Sequence, residues 1–101
     1  MGLLGDLFGS IFSSMEESQS EADQWMARFY SLEQAAKEMI YKFGSDEKIA
    51  GAKVVEFNYY LTAFRRRAMN ASRSEVEAAY RAIRNKHGIV AQKLINILED
   101  V

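Results

Sequence analysis

Residues 25–43, WMARFYSLEQAAKEMIYKF, set Trp25, Phe29, Leu32, Ala36, Met39 and Phe43 apart by alternating steps of four and three. An α-helix turns once every 3.6 residues, so this spacing holds one apolar face toward a partner and predicts a helix packed in a bundle. The spacing recurs downstream. It runs through Ala50, Val54, Phe57, Leu61, Phe64 and Ala68, and again through Val76, Tyr80, Ile83, His87, Val90, Leu94, Ile97 and Val101, where His87 is the only polar member. Upstream, Leu3, Leu4, Leu7, Phe8, Ile11, Phe12 and Met15 form a wide apolar arc. Gly5 and Gly9 lie on the other side of that segment, and each interior glycine costs a helix about 1 kcal/mol against alanine. The segment therefore needs a surface to dock on.

These patterns predict an all-α chain: an antiparallel bundle of three long helices plus a short N-terminal amphipathic helix, four helices in total. A single helical-bundle domain spans residues 1–101, with residues 1–17 as the short helix and residues 18–101 as the three-helix core. Ser18 or Ser20 can cap the second helix, which runs to about Phe43, where Gly44 suits a left-handed C-terminal position. Ser45 caps the third helix, which ends near Met69. Ser72-Arg73-Ser74-Glu75 reads as a capping box for the fourth, which continues to the C-terminus with Gly88 inside it. Short connections favour antiparallel neighbours.

Composition narrows the chemistry. The chain has 101 residues, 49% hydrophobic and 27% charged, which is ordinary for a globular domain. The sequence holds no cysteine, so disulfides, thiolate metal sites and cysteine nucleophiles are excluded, and no proline interrupts the stripes. No apolar run approaches the roughly 20 residues of a membrane span. The N-terminus lacks a basic segment and Asp6 interrupts its apolar part, so a cytoplasmic location is expected. No glycine-rich phosphate loop, nucleophile elbow or paired metal-binding histidines occur, so no catalytic, cofactor or metal residue is assigned and a non-enzymatic role is expected.

Charge is unevenly spread. Residues 1–50 carry nine acidic and four basic side chains, a balance of -5; residues 51–101 carry five and nine, a balance of +4. Such a dipole invites internal pairing or head-to-tail association.

Functional candidates are the residues the core stripes leave over. Ala52, Val55 and Tyr59 lie opposite the stripe of the third helix, and Met26, Tyr30 and Tyr41 lie off the stripe of the second. A helix apolar on two faces is usually sandwiched, so these six residues form a candidate protein interface, with a second copy of the chain or another protein as partner. The expected function is a small soluble interaction module, an adaptor, inhibitor or immunity-like protein, that self-associates through helix faces. The alternative is a nucleic-acid or polyanion-binding module using Arg66, Arg73, Arg81 and Arg84 at a basic end of the bundle. Consecutive Arg65, Arg66 and Arg67 point about 100° apart and cannot form one patch by themselves. A further alternative is a peripheral membrane protein held by the N-terminal helix. That segment has no basic rim, since Arg28 is the first cation. His87 is expected as a hydrogen-bonded histidine at the core edge.

Overall fold

The computed structural model describes residues 21–52 and 54–101. The expected N-terminal helix and its serine caps lie outside the described residues. Within them the chain is helical, without a strand. Among the described residues the first helix, α1, covers residues 21–27. It is followed by α2 (Leu32–Phe43), α3 (Asp46–Gly51), α4 (Val54–Asn70), α5 (Arg73–Ile83) and α6 (Ile89–Asp100).

The all-α class is as expected, but each of the three long helices is interrupted. Between α1 and α2 the backbone tightens, with Arg28 and Phe29 donating three residues back to Trp25 and Met26. Ser31 then turns extended, and its hydroxyl accepts from the Gln34 amide at 3.3 Å, starting a new helix. Ser45 caps α3 through the Lys48 amide as predicted, but α3 stops at Gly51, and Ala52 is extended at φ -94, ψ 149. The α5–α6 break sits at residues 84–88, where Gly88 adopts φ +133 and precedes α6. Ser72 caps α5 through the Glu75 amide, as the capping box predicts.

The turns place the helices. Gly88 lies beside the Gly44 carbonyl, so the α5–α6 turn meets the α2–α3 corner at one end of the molecule. At the other end Arg67 donates to the Tyr30 carbonyl and Arg65 pairs with Asp100 at the end of α6. Helices α2 and α5 therefore run one way, α4 and α6 the other. Packing is most extensive between α2 and α5, while α4 and α6 close the core against them. Ala35, Ala36 and Ala79 are fully buried on the α2–α5 pair, and small side chains permit this close approach. Around Phe43 and Tyr60 the core is aromatic: Phe43 meets Phe57 edge-on at 5.1 Å and Tyr60 at 5.5 Å, and Tyr60 meets Trp25 at 5.1 Å. Such edge-to-face contacts add about 0.5–1.5 kcal/mol each beyond area burial.

Most stripe positions are core, but the expectations for His87, Val101, Ala50 and Gly44 are corrected. His87 is exposed in the α5–α6 turn instead of at the core edge, because Gly88 resets the helix and its phase. After that reset Val90, Ala91, Leu94 and Leu98 point inward, Ile97 is half-buried and Val101 is exposed. Ala50 is exposed on α3, which contributes no buried residue. Gly44 has φ -75, not a left-handed value. Its requirement for glycine comes from crowding, since a β-carbon there would overlap the Ile40 carbonyl oxygen.

Candidate interaction surface

Helix α2 buries Leu32, Ala35, Ala36, Met39 and Phe43, so at 100° per residue Gln34 and Tyr41 project from its opposite side. Tyr41 is 75% exposed. Tyr30, just ahead of the Ser31 cap, is 78% exposed and is drawn over Gln34 by a 2.6 Å bond from the Gln34 side-chain amide to its hydroxyl oxygen. At the far end the Lys48 ammonium lies 4.8 Å from the Tyr41 ring centre and donates to the Tyr41 carbonyl at 2.8 Å. Both tyrosines are thus exposed yet held by neighbours. A stacked cation of this kind is worth roughly 0.5–1 kcal/mol at an exposed site.

The six predicted interface residues do not make one patch. Met26 is 6% exposed and belongs to the core, because α1 turns it inward beside Ala22 and Trp25. Tyr30 and Tyr41 share the outer side of α2. Val55 is exposed on α4, while Tyr59 and Ala52 are half-buried and packed against the core. Helix α1 sits where α2 and α4 meet, with Trp25 against Tyr60 of α4 and a cavity shared with Lys42 of α2.

The arginines are separated as helix geometry predicts. Arg65 pairs with Asp100 at 3.6 Å, Arg66 with Asp23 at 3.4 Å, and Arg67 donates to the Tyr30 carbonyl at 3.5 Å. Three consecutive residues tie α4 to α6, to α1 and to the α1–α2 turn. These are exposed pairs, each worth at most about 1 kcal/mol. Arg66 is therefore separated from the other predicted polyanion contacts. Arg73, Arg81 and Arg84 do share one exposed side of α5 by their spacing, with Glu77 between them and bonded to Arg73 at 3.4 Å.

Concave features lined by described residues include three among these elements. A groove of about 470 Å³ is lined by Met69, Val76, Tyr80, Leu98 and Val101, with Arg73 and Glu77 at its polar side. The Tyr80 phenol in this groove is pushed above its ordinary pKa, first by desolvation and then by the hydrogen bond and negative charge of Glu99. A hollow of about 350 Å³ is walled by Lys37, Ile40, Tyr41 and Lys86. The third is a cavity of about 520 Å³ between α1, α2 and α4, lined by Glu21, Gln24, Trp25, Arg28, Lys42 and Tyr60. Trp25 is 1% exposed, and its indole N–H is buried without an acceptor. Leaving such a donor unpaired costs about 1–3 kcal/mol. The sequence stripe marks Trp25 as core but cannot reveal this cavity, which depends on how α1 seats against α2 and α4.

Among the described residues no three histidine, aspartate or glutamate side chains converge as metal ligands. No described helix is long and apolar enough to cross a membrane. No family model, no curated protein and no solved structure matches the chain.

Proposed function

We propose that the chain is a small non-enzymatic interaction module that self-associates through the outer face of α2. The observation that carries this reading is the pair of held, exposed tyrosines, Tyr30 and Tyr41, on one helix face. Aromatic side chains dominate the energetics of protein interfaces, and rings already fixed by neighbours lose less freedom on association. A face with one tyrosine near each end suits a second copy in particular. Two α2 helices meeting antiparallel place Tyr30 of each against Tyr41 of the other, so one contact is made twice by symmetry. Sedimentation velocity at micromolar concentration tests this directly. The native chain is expected to sediment as a reversible dimer, and Tyr30→Glu or Tyr41→Glu to weaken the dimer at least tenfold. A native chain that stays monomeric throughout that range rejects the proposal.

A second reading has one observation in its favour, the alignment of Arg73, Arg81 and Arg84 on α5. These residues would contact a nucleic acid or another polyanion without Arg66, which is engaged with Asp23. Phosphate contacts weaken steeply with salt, so gel shifts at about 50 mM and about 200 mM salt discriminate. Absence of salt-sensitive binding at the lower concentration removes this reading.

A further inference from the structure

The groove where the ends of α4 and α6 meet the start of α5 has its charges already paired. Arg73 and Glu77 bond to each other at 3.4 Å, and Glu99 accepts from the Tyr80 phenol. What is left unsatisfied there is apolar surface. Met69 is 63% exposed and Val101 48%, and Val76 of the same lining is half-buried. A volume of about 470 Å³ takes several side chains but not a whole helix, whose diameter is about 10–12 Å. The occupant that suits such a groove is one apolar ridge of a helix laid along its mouth.

The chain itself carries such a ridge outside the described residues. Leu4, Phe8, Ile11 and Met15 step by four, three and four, which aligns them along one side of a helix, while Asp6, Glu16 and Glu17 fall off that line. The described residues also fix where this segment is tethered. Asp23 of α1 pairs with Arg66 of α4 at 3.4 Å, and Met69 follows Arg66 by three residues, so the two are neighbours on the α4 surface. The wall of the groove therefore begins one helical turn from the α1 anchor. Six residues separate Met15 from Glu21 at the start of the described α1, a length of chain that reaches about 20 Å when extended.

We propose that residues 3–15 dock as a helix on the α4–α5–α6 groove of their own chain, inserting the Leu4, Phe8, Ile11 and Met15 ridge against Met69, Val76 and Val101. The two interior glycines make this segment a poor helix in isolation, and burial of the ridge offsets that cost. This groove lies apart from the outer face of α2, so its occupancy does not depend on self-association.

A nitroxide on the full chain tests the contact. The sequence holds no cysteine, so Ser13→Cys, off the ridge, gives a single labelling position. Amide resonances of Met69, Val76 and Val101 are expected to lose at least half their height, with those of Gly44 and Ile89 at the other end of the molecule unchanged. Phe8→Asp on the segment, and Val101→Glu on the groove, should each restore the lost height. Val101 is exposed at the chain end, so that variant keeps the core intact. Uniform broadening, or broadening centred elsewhere, overturns the proposal, as does loss of height that survives both substitutions. A mixture of nitroxide-bearing chains without isotope and isotope-labelled chains without nitroxide should leave the groove resonances sharp. Broadening of those resonances in the mixture assigns the groove to the segment of a second copy and overturns docking within one chain.

Discussion

Three glycines in the described residues have three different relations to their surroundings. Gly88 has φ +133, ψ 172, a region essentially closed to side chains, so Gly88→Ala is strained in any packing environment. Gly44 has an ordinary backbone, but a β-carbon would run into the Ile40 carbonyl. Gly51 is helical with open space where a β-carbon would sit. Alanine there restricts the unfolded chain and improves helix propensity. Urea unfolding should therefore separate the three: Gly44→Ala and Gly88→Ala lower stability by about 1–3 kcal/mol, and Gly51→Ala raises it by about 0.5–1 kcal/mol. Equal effects at all three positions would contradict this assignment. Tyr80 gives a residue-scale prediction in pH. Its raised folded-state pKa means the native state holds that proton more tightly than the unfolded chain does. The associated stability is complete below the ordinary tyrosine pKa and is lost as pH rises through the higher folded value. In a spectrophotometric titration, Tyr80→Phe should remove a tyrosine that ionises above its ordinary range, one of five in the chain.

Among the elements, α5 is the one whose start was written most clearly in the sequence. Ser72 accepts from the Glu75 amide at 3.3 Å, and its hydroxyl also donates to the Glu75 carboxylate. Ser72→Ala should cost about 1 kcal/mol in thermal or urea unfolding, while Ser74→Ala, which removes an exposed 3.1 Å hydroxyl contact with Ser72 but leaves the bond from the Glu75 amide in place, should cost less. Caps and core stripes were legible because both are local: a serine three residues before its amide, or apolar side chains at fixed steps. The breaks were not legible in the same way. Across residues 28–31 the apolar phase continues from Trp25 to Leu32 although the helix does not, so periodicity alone reads one helix. Ser31 is the local residue that restarts the helix, through its hydroxyl and the Gln34 amide, and a stripe that runs unbroken past it carries no sign of that. At Gly88 the spacing reads on through His87 because Val90 and Leu94 keep the four-three steps of Val76, Tyr80 and Ile83. The backbone conformation of one glycine moves His87 to the surface, and no spacing rule registers that. Met26 failed as an interface candidate for a related reason. The spacing puts it off the stripe of one long helix, whereas α1 is a separate element that packs by its own inward side, with Ala22, Trp25 and Met26 buried together.

At the scale of the whole molecule, the outer face of α2 makes a claim about register that composition makes unusually easy to test. The chain contains no cysteine, so introduced thiols have no native competitors. If two copies pair antiparallel along α2, Tyr30 of one copy faces Tyr41 of the other. A mixture of Tyr30→Cys and Tyr41→Cys chains should then form a mixed disulfide dimer under mild oxidation. Either variant alone should cross-link several-fold less. The separation makes this discriminating, because the nine steps of α2 from Leu32 to Tyr41 alone span about 14 Å at helical rise, and Tyr30 lies beyond the start of that helix. A disulfide tolerates no more than about 7 Å between α-carbons. Efficient linking of Tyr30→Cys to itself would instead indicate a parallel pairing. A head-to-tail contact driven by the -5 and +4 halves would leave both thiols unpaired and would weaken with salt. An interface built on the two tyrosines should retain its mixed cross-link as salt rises, since apolar burial is not screened. The mixed disulfide, measured at low and high ionic strength, thus separates a tyrosine-anchored dimer from association driven by the charge asymmetry of the chain.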